Sequence, residues 1–165
     1  MRDIVSEILD YASPRPPVFG HVDVRDVVRD AVEAVGHVAR SGREDVEVAA
    51  PATPVSLECD ERLIRRAVIN LVENALQAED RKAPVKVVLE ENEEDFTISV
   101  IDDGKGVTRE VEARLFTPFF TTRPTGTGLG LAVVQRCAEA HGGTARFERA
   151  PGGGARFVLR LRKRR

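Results

Sequence analysis

The chain has 165 residues, 42% of them hydrophobic and 32% charged, with a formal net charge of −2. That length supports one domain with a core of its own, and the mild acidity argues against a general nucleic-acid binder; the basic end, RLRKRR, reads as a solvated strand end. There is no apolar run of about 18 residues and no signal-peptide pattern, and the two cysteines, Cys59 and Cys137, form no CxxC and suit buried apolar positions in a reducing compartment.

In chain order, MRDIVSEILDYA places Ile4, Val5, Ile8 and Leu9 at helical spacing and predicts a short amphipathic helix. The prolines of SPRPPVFG stop it and mark a linker. VDVRDVVRDAVEAVGHVAR predicts a second helix, with Val24, Val27, Val28, Ala31, Val35 and Val38 on one side. DVEVAA and VSLEC alternate and predict two short strands. DERLIRRAVINLVENALQAED is the strongest helix pattern, with Asp60 as its N-cap and a wide apolar face from Leu63 and Ile64 to Ala75. PVKVVLEENEEDFTISVIDDG predicts a hairpin with an acidic turn, and residues 103 to 128 predict a loop-rich segment. LGLAVVQRCAEAH predicts another helix, closed by Gly142 at C′, and GTARFERAPGGGARFVLRLR a final hairpin around PGGG. This order implies an α+β domain in two layers, with about three helices on one face of a mixed sheet of about five strands, preceded by the short N-terminal helix.

Four separated pieces carry chemistry. Asn70 and Asn74 lie one helical turn apart and border the apolar stripe, where an amide oxygen can serve a hard cation. Taken alone, they are better read as two surface asparagines. DDGKG ends a strand in Asp102 and Asp103 and breaks it with Gly104 and Gly106. A carboxylate there can accept from an exocyclic amine, and an ordinary Asp-Gly turn has the same residues. RLFTPFFTTRP gathers Phe116, Phe119 and Phe120, three of seven phenylalanines, ahead of Arg123. It reads as a local apolar cluster or as the anchor of a mobile loop whose arginine reaches phosphate. TGTGLGLAVVQ sets Gly126, Gly128 and Gly130 at alternate positions before a helix, so that bare N–H groups face an anion.

Together the four resemble the ATP-binding domain of histidine kinases, the GHKL or Bergerat fold. NLVENALQA resembles its N box, DDGKG its G1 box, FTPFF its F box and GTGLGL its G2 box, over roughly residues 23 to 162. The short lid in TPFFTTRPTGTGLGL resembles in particular sensor kinases of the nitrogen-regulation type. The resemblance implies that residues 1–22 are the end of a dimerisation helix plus linker, and residues 23–165 the catalytic domain. It implies ATP and Mg²⁺ as ligands. Asn74 would coordinate the metal, supported by Asn70, and Asp102 would bind the adenine amine in a pocket shaped by Gly104 and Gly106. Gly126, Thr127, Gly128, Leu129 and Gly130 would cradle the phosphates, with Arg123 as the basic lid residue. The implied function is transfer of the γ-phosphoryl group to a histidine on a dimerisation domain, with a response regulator downstream. A cytoplasmic domain is expected, without nucleic-acid or membrane contact.

Several residues qualify this. Lysine often stands where Gln77 does, and an aromatic residue where Ala78 does, so phosphate contact would rest more on the lid and on Arg123. Asn70 stands where related ATPases and serine kinases carry a glutamate base, and an amide cannot take a proton. His21, His37 and His141 sit in no acceptor-helix motif, so the acceptor is expected elsewhere and the chain is expected to be a piece of a larger kinase. His141 is expected at a helix end near a favourable dipole. A serine/threonine-directed kinase or ATPase of the same fold, and a non-catalytic nucleotide-sensing module, remain the alternatives.

Overall fold

A computed structural model describes Val5, Ile8, Tyr11, Ala12 and residues 15–38 and 45–164. Its elements are β1 (Gly20–Asp23), α1 (Val24–Val38), β2 (Val46–Ala49), β3 (Ser56–Cys59), α2 (Glu61–Leu76), β4 (Val85–Glu91), β5 (Asp95–Ile101), α3 (Arg109–Glu112), α4 (Gly130–Ala140), β6 (Thr144–Arg149) and β7 (Ala155–Arg162). Of the N-terminal helix, Val5, Ile8, Tyr11 and Ala12 are helical, with Val5 and Ile8 exposed, while Ile4 and Leu9 lie outside the described residues.

Five strands form a mixed sheet in the order β2-β4-β5-β7-β6, with β2 parallel to β4 and the remaining pairs antiparallel. The period-2 pattern sends Val85, Val87 and Leu89 of β4, Phe96, Ile98 and Val100 of β5, and Phe157, Leu159 and Leu161 of β7 into the core. Register places them in rows, such as Leu89, Ile98 and Leu159 side by side. Each such side chain contributes about 1.5–3 kcal/mol by leaving water. The helices cover this face, α1 against α2 and α2 against α4. The expected two-layer α+β architecture is the one observed.

Two differences from expectation have physical causes. Residues Gly20 to Asp23 extend as β1 and pair antiparallel with β3, Gly20 opposite Cys59, where the sequence pattern begins a helix at Val22. GHVD is too short and polar to announce a strand; pairing makes it one. The loop-rich segment also contains the single turn α3, capped by Thr108 Oγ1, which accepts from Val111 N–H at 3.4 Å.

The ends of α2 and α4 are fastened to each other. Asp60 caps α2, its Oδ1 accepting from Arg62 N–H at 3.0 Å and Leu63 N–H at 3.2 Å. Its own N–H donates to His141 Nε2 at 3.0 Å, and His141 Nδ1 donates to Cys137 O at 2.7 Å. His141 is therefore a buried neutral acceptor, and burial pushes its pKa down. His141 stands at the C-cap of α4, the expected helix-end position, but it is buried there and neutral. Past His141, Gly142 N–H returns to Glu139 O at 3.0 Å and Gly143 N–H to Ala138 O at 2.8 Å, the paired bonds of a Schellman stop.

Candidate functional site

The N-cap at Asp60 fixes the phase of α2, and the buried run of Ile69, Leu71, Val72 and Ala75 sets which side faces the core. Asn70 and Asn74 fall at the border of that run, both half-buried. The expected edge position follows directly from helical spacing.

Asp102 ends β5 and is 4% exposed. Gly104 N–H at 2.9 Å and Ala155 N–H at 3.5 Å both donate to its Oδ1, so neither bond uses Oδ2. Burial raises its pKa above the ordinary carboxylate value, and these two N–H groups oppose the shift. Asp103 points the other way, is exposed, and accepts from Lys82 and Ala83 N–H at 3.1 Å each. One aspartate is aimed inward; the other fastens the segment that follows α2. Gly104 lies beside Ala78 and Glu79, and Gly106 beside Gly153. Lys105 pairs with Glu79 across the same seam.

The three phenylalanines of the F box go three ways. Phe116 meets Phe157 edge-on with ring centres 6.4 Å apart, tying the loop to the core. Phe120 lies under the Arg114 guanidinium at 4.2 Å. Phe119 is 61% exposed and meets Tyr11 edge-on at 6.2 Å. Its N–H donates to Gly128 O at 2.9 Å. Gly128 has φ +72°, and a Cβ there would stand 2.4 Å from the Phe119 carbonyl carbon. This glycine is needed where the F box and the glycine loop touch.

The rest of the glycine loop leads into α4. Gly126 N–H closes a turn onto Arg123 O at 3.1 Å, and Thr127 Oγ1 accepts from Leu129 N–H at 3.3 Å. Leu129 occupies the N-cap of α4 but supplies no side-chain cap bond. The first N–H groups of this helix are therefore not closed off by their own N-cap side chain, as an anion-binding helix end requires. Gly130 opens the helix beside Asn70: a Cβ on it would lie 3.6 Å from Asn70 Oδ1. Arg123 crosses to α2, its Nη1 donating to Gln77 Oε1 at 2.9 Å and its Nη2 to Asn74 O at 3.1 Å. Burial lowers its pKa, while the Asp102 and Glu79 carboxylates pull the other way.

The fold thus assembles separate segments: Asn70 with the α4 N-terminus, Asn74 with Arg123, and Asp102 within electrostatic reach of Arg123. Three contributors escape the motif pattern. Gly154 packs so close behind Asp102 that a Cβ would come 1.9 Å from Asp102 O. Thr121 Oγ1 accepts from Arg123 N–H at 3.0 Å. Gln77, noted in the sequence only as a departure, is a partner of Arg123. The PGGG run was a signal for the first; Thr121 and the Gln77 contact had none.

Residues 59–165 match the family described as "Histidine kinase-, DNA gyrase B-, and HSP90-like ATPase". The chain belongs to this family. Within it, the chain is 36% identical over 159 residues to the sensor histidine kinase ZraS of Klebsiella oxytoca, covering 96% of this chain and 34% of that protein. It is 33% identical over 164 residues to the nitrogen regulation protein NtrY of Azorhizobium caulinodans, covering 94% of this chain and 21% of NtrY. Full-length ShkA in complex with AMPPNP is similar in structure, with a TM-score of 0.81, 26% identity, and coverage of 98% of this chain and 36% of ShkA. The chain therefore spans about a third of the length of curated relatives such as ZraS. The resemblance drawn from the four boxes is borne out. Among the described residues no helix is long and apolar enough to cross a membrane.

Proposed function

We propose that this chain is the ATP-binding catalytic domain of a two-component sensor histidine kinase. The reading rests above all on one juxtaposition: the N-terminus of α4, at Gly130, which its N-cap Leu129 does not cap by a side chain, lies beside Asn70 of the N box. Helix N–H groups that carry a positive partial charge, next to the Asn70 amide and one turn of α2 from Asn74, suit the phosphates of a nucleotide and its metal ion. Asp102 Oδ2 suits the adenine amine. Gly104 and Gly106 shape the wall around it, and Gly126 to Gly130, with Thr127 and Leu129, fold over the phosphates.

Asn74 is the proposed Mg²⁺ ligand, with Asn70 in support. Among the described residues no three His, Cys, Asp or Glu converge as a metal cage. The donor set suits a cation that takes most of its ligands from phosphate and water, as Mg²⁺ does. When bound, Mg²⁺ supplies neutralisation of phosphate charge. The chain's own residues orient the nucleotide, exclude water under the lid and present the γ-phosphoryl end. Asn70 cannot act as a base, so neither hydrolysis nor activation of a hydroxyl is its work.

In this reading residues 1–22 are the end of the dimerisation helix and the linker, and residues 23–165 the catalytic domain. The phosphoryl acceptor is a histidine on the dimerisation domain of the same kinase, and a response regulator receives the phosphoryl group next. The domain works in the cytoplasm, alongside ATP. The test mixes this chain, Mg²⁺ and radiolabelled ATP with a purified dimerisation domain of the same kinase. Acid-labile label on that domain supports the reading. Acid-stable label on a serine-bearing partner would favour the serine/threonine alternative instead.

A further inference from the structure

The Arg123 side chain joins the lid to the end of α2. Arg123 places Nη1 2.9 Å from Gln77 Oε1 and Nη2 3.1 Å from Asn74 O. The second contact has a cause in helix geometry, because a helix leaves its last carbonyls without intrahelical donors. Here Gln77 N–H returns to Glu73 O, and Ala78 N–H turns back to Ala75 O, stepping past Asn74 O. The guanidinium takes that carbonyl at the negative end of the helix. On the lid side the arginine backbone is pinned as well, with N–H on Thr121 Oγ1 at 3.0 Å and O accepting from Gly126 N–H at 3.1 Å. Arg123 is half-buried although it comes from an exposed loop, and the Asp102 and Glu79 carboxylates favour its charged form.

We propose that Gln77 is a positioning residue for phosphate binding: with the Asn74 carbonyl it anchors the Arg123 guanidinium over the N box, so that two elements jointly provide one phosphate-binding cation. The inference rests on the nucleotide reading above. A neutral amide attracts no phosphate by charge, but its carbonyl oxygen orients a cation that does. A guanidinium has five N–H donors in a rigid fork. Two are spent on α2, which leaves three to face an anion. Without Gln77 the charge survives, but only the Asn74 carbonyl holds the guanidinium to α2, and the group can turn about that one contact. Loss of Gln77 therefore weakens only what depends on the placement of that charge.

The experiment is an amide chemical-shift titration, which reads weak and tight binding alike, with AMP and with AMPPNP plus Mg²⁺. It uses wild type, Gln77→Ala, Arg123→Ala, and Arg123→Ala combined with Gln77→Lys. We expect Arg123→Ala to weaken AMPPNP by about tenfold or more, the size of a lost charge-assisted contact. Gln77→Ala should weaken it by about three- to tenfold with AMP affinity unchanged. The Gln77→Lys change should recover most of the loss in the Arg123→Ala background, because an ammonium group carried by α2 needs no lid anchor. Gln77→Ala binding AMPPNP as wild type does, with Arg123→Ala impaired, would overturn the positioning role. Both variants binding as wild type does would reduce the contact to a helix cap. Wild type binding neither nucleotide would overturn the nucleotide reading itself, and this inference with it.

Discussion

Gly128→Ala separates the conformation of the phosphate loop from the stability of the fold. A Cβ at this position would stand 2.4 Å from the Phe119 carbonyl carbon and 2.7 Å from Phe119 Cα and Phe120 N. These are backbone atoms, so no change of rotamer relieves the overlap. The backbone sits at φ +72°, a left-handed conformation that costs a residue with a Cβ roughly 1–2 kcal/mol. Moving the loop away breaks the bond from Phe119 N–H to Gly128 O, at 2.9 Å, which contributes about 1 kcal/mol. The observed loop conformation therefore loses about 2–3 kcal/mol relative to its alternatives. The loop lies at the surface, away from the paired strands, so the cost falls on loop population and not on the sheet. If phosphate binding requires this conformation, AMPPNP affinity drops by about 30- to 150-fold, while Tm shifts little. Calorimetric titration and a thermal melt of the same variant check both halves. Wild-type affinity, or a collapse of Tm alongside the loss, would refute the reasoning.

The neutral His141 makes stability depend on pH with a defined sign. Its folded pKa is depressed below 6.5, so its contribution is complete above that value and is lost as pH falls below it. Melts from about pH 7.5 to about pH 5.5 should show a steeper fall for wild type than for His141→Gln; equal slopes would contradict it. Cys59 is buried with its pKa pushed up to about 12, and Cys137 is raised as well, so neither should react with a thiol reagent until the domain unfolds. Rapid labelling of the native chain would count against that burial. Asp60→Ala removes the cap of α2 and should lower stability by about 1 kcal/mol or more, read from denaturant midpoints.

The long periodic elements were legible because their faces repeat often enough to identify themselves. The apolar face of α2, the β4–β5 and β6–β7 hairpins and the Gly142 stop needed no tertiary information. The site was legible as far as its boxes are local: Asn70 and Asn74 share a helix, and Asp102 ends a strand. What the sequence hid was set by contacts across the fold. β1 exists through pairing with β3. The helical pattern of α2 runs on into QAED, yet the helix ends at Leu76, where Ala78 turns back and Gly104 packs beside it. His141 reads as a helix-end residue, and it is one, but Asp60 N–H reaches it from 81 residues away in sequence and buries it as an acceptor. Gln77 resembles a loss of charge until the lid arginine is seen to meet it.

The decisive measurement is calorimetric titration of ADP and AMPPNP, with and without Mg²⁺, on wild type and on Asp102→Ala. Wild type should bind both nucleotides, Mg²⁺ should strengthen the triphosphate, and Asp102→Ala should abolish binding while Tm stays near wild type. Wild-type affinity in a folded Asp102→Ala variant would contradict the adenine assignment, and no binding by wild type under any condition would contradict the kinase reading as a whole.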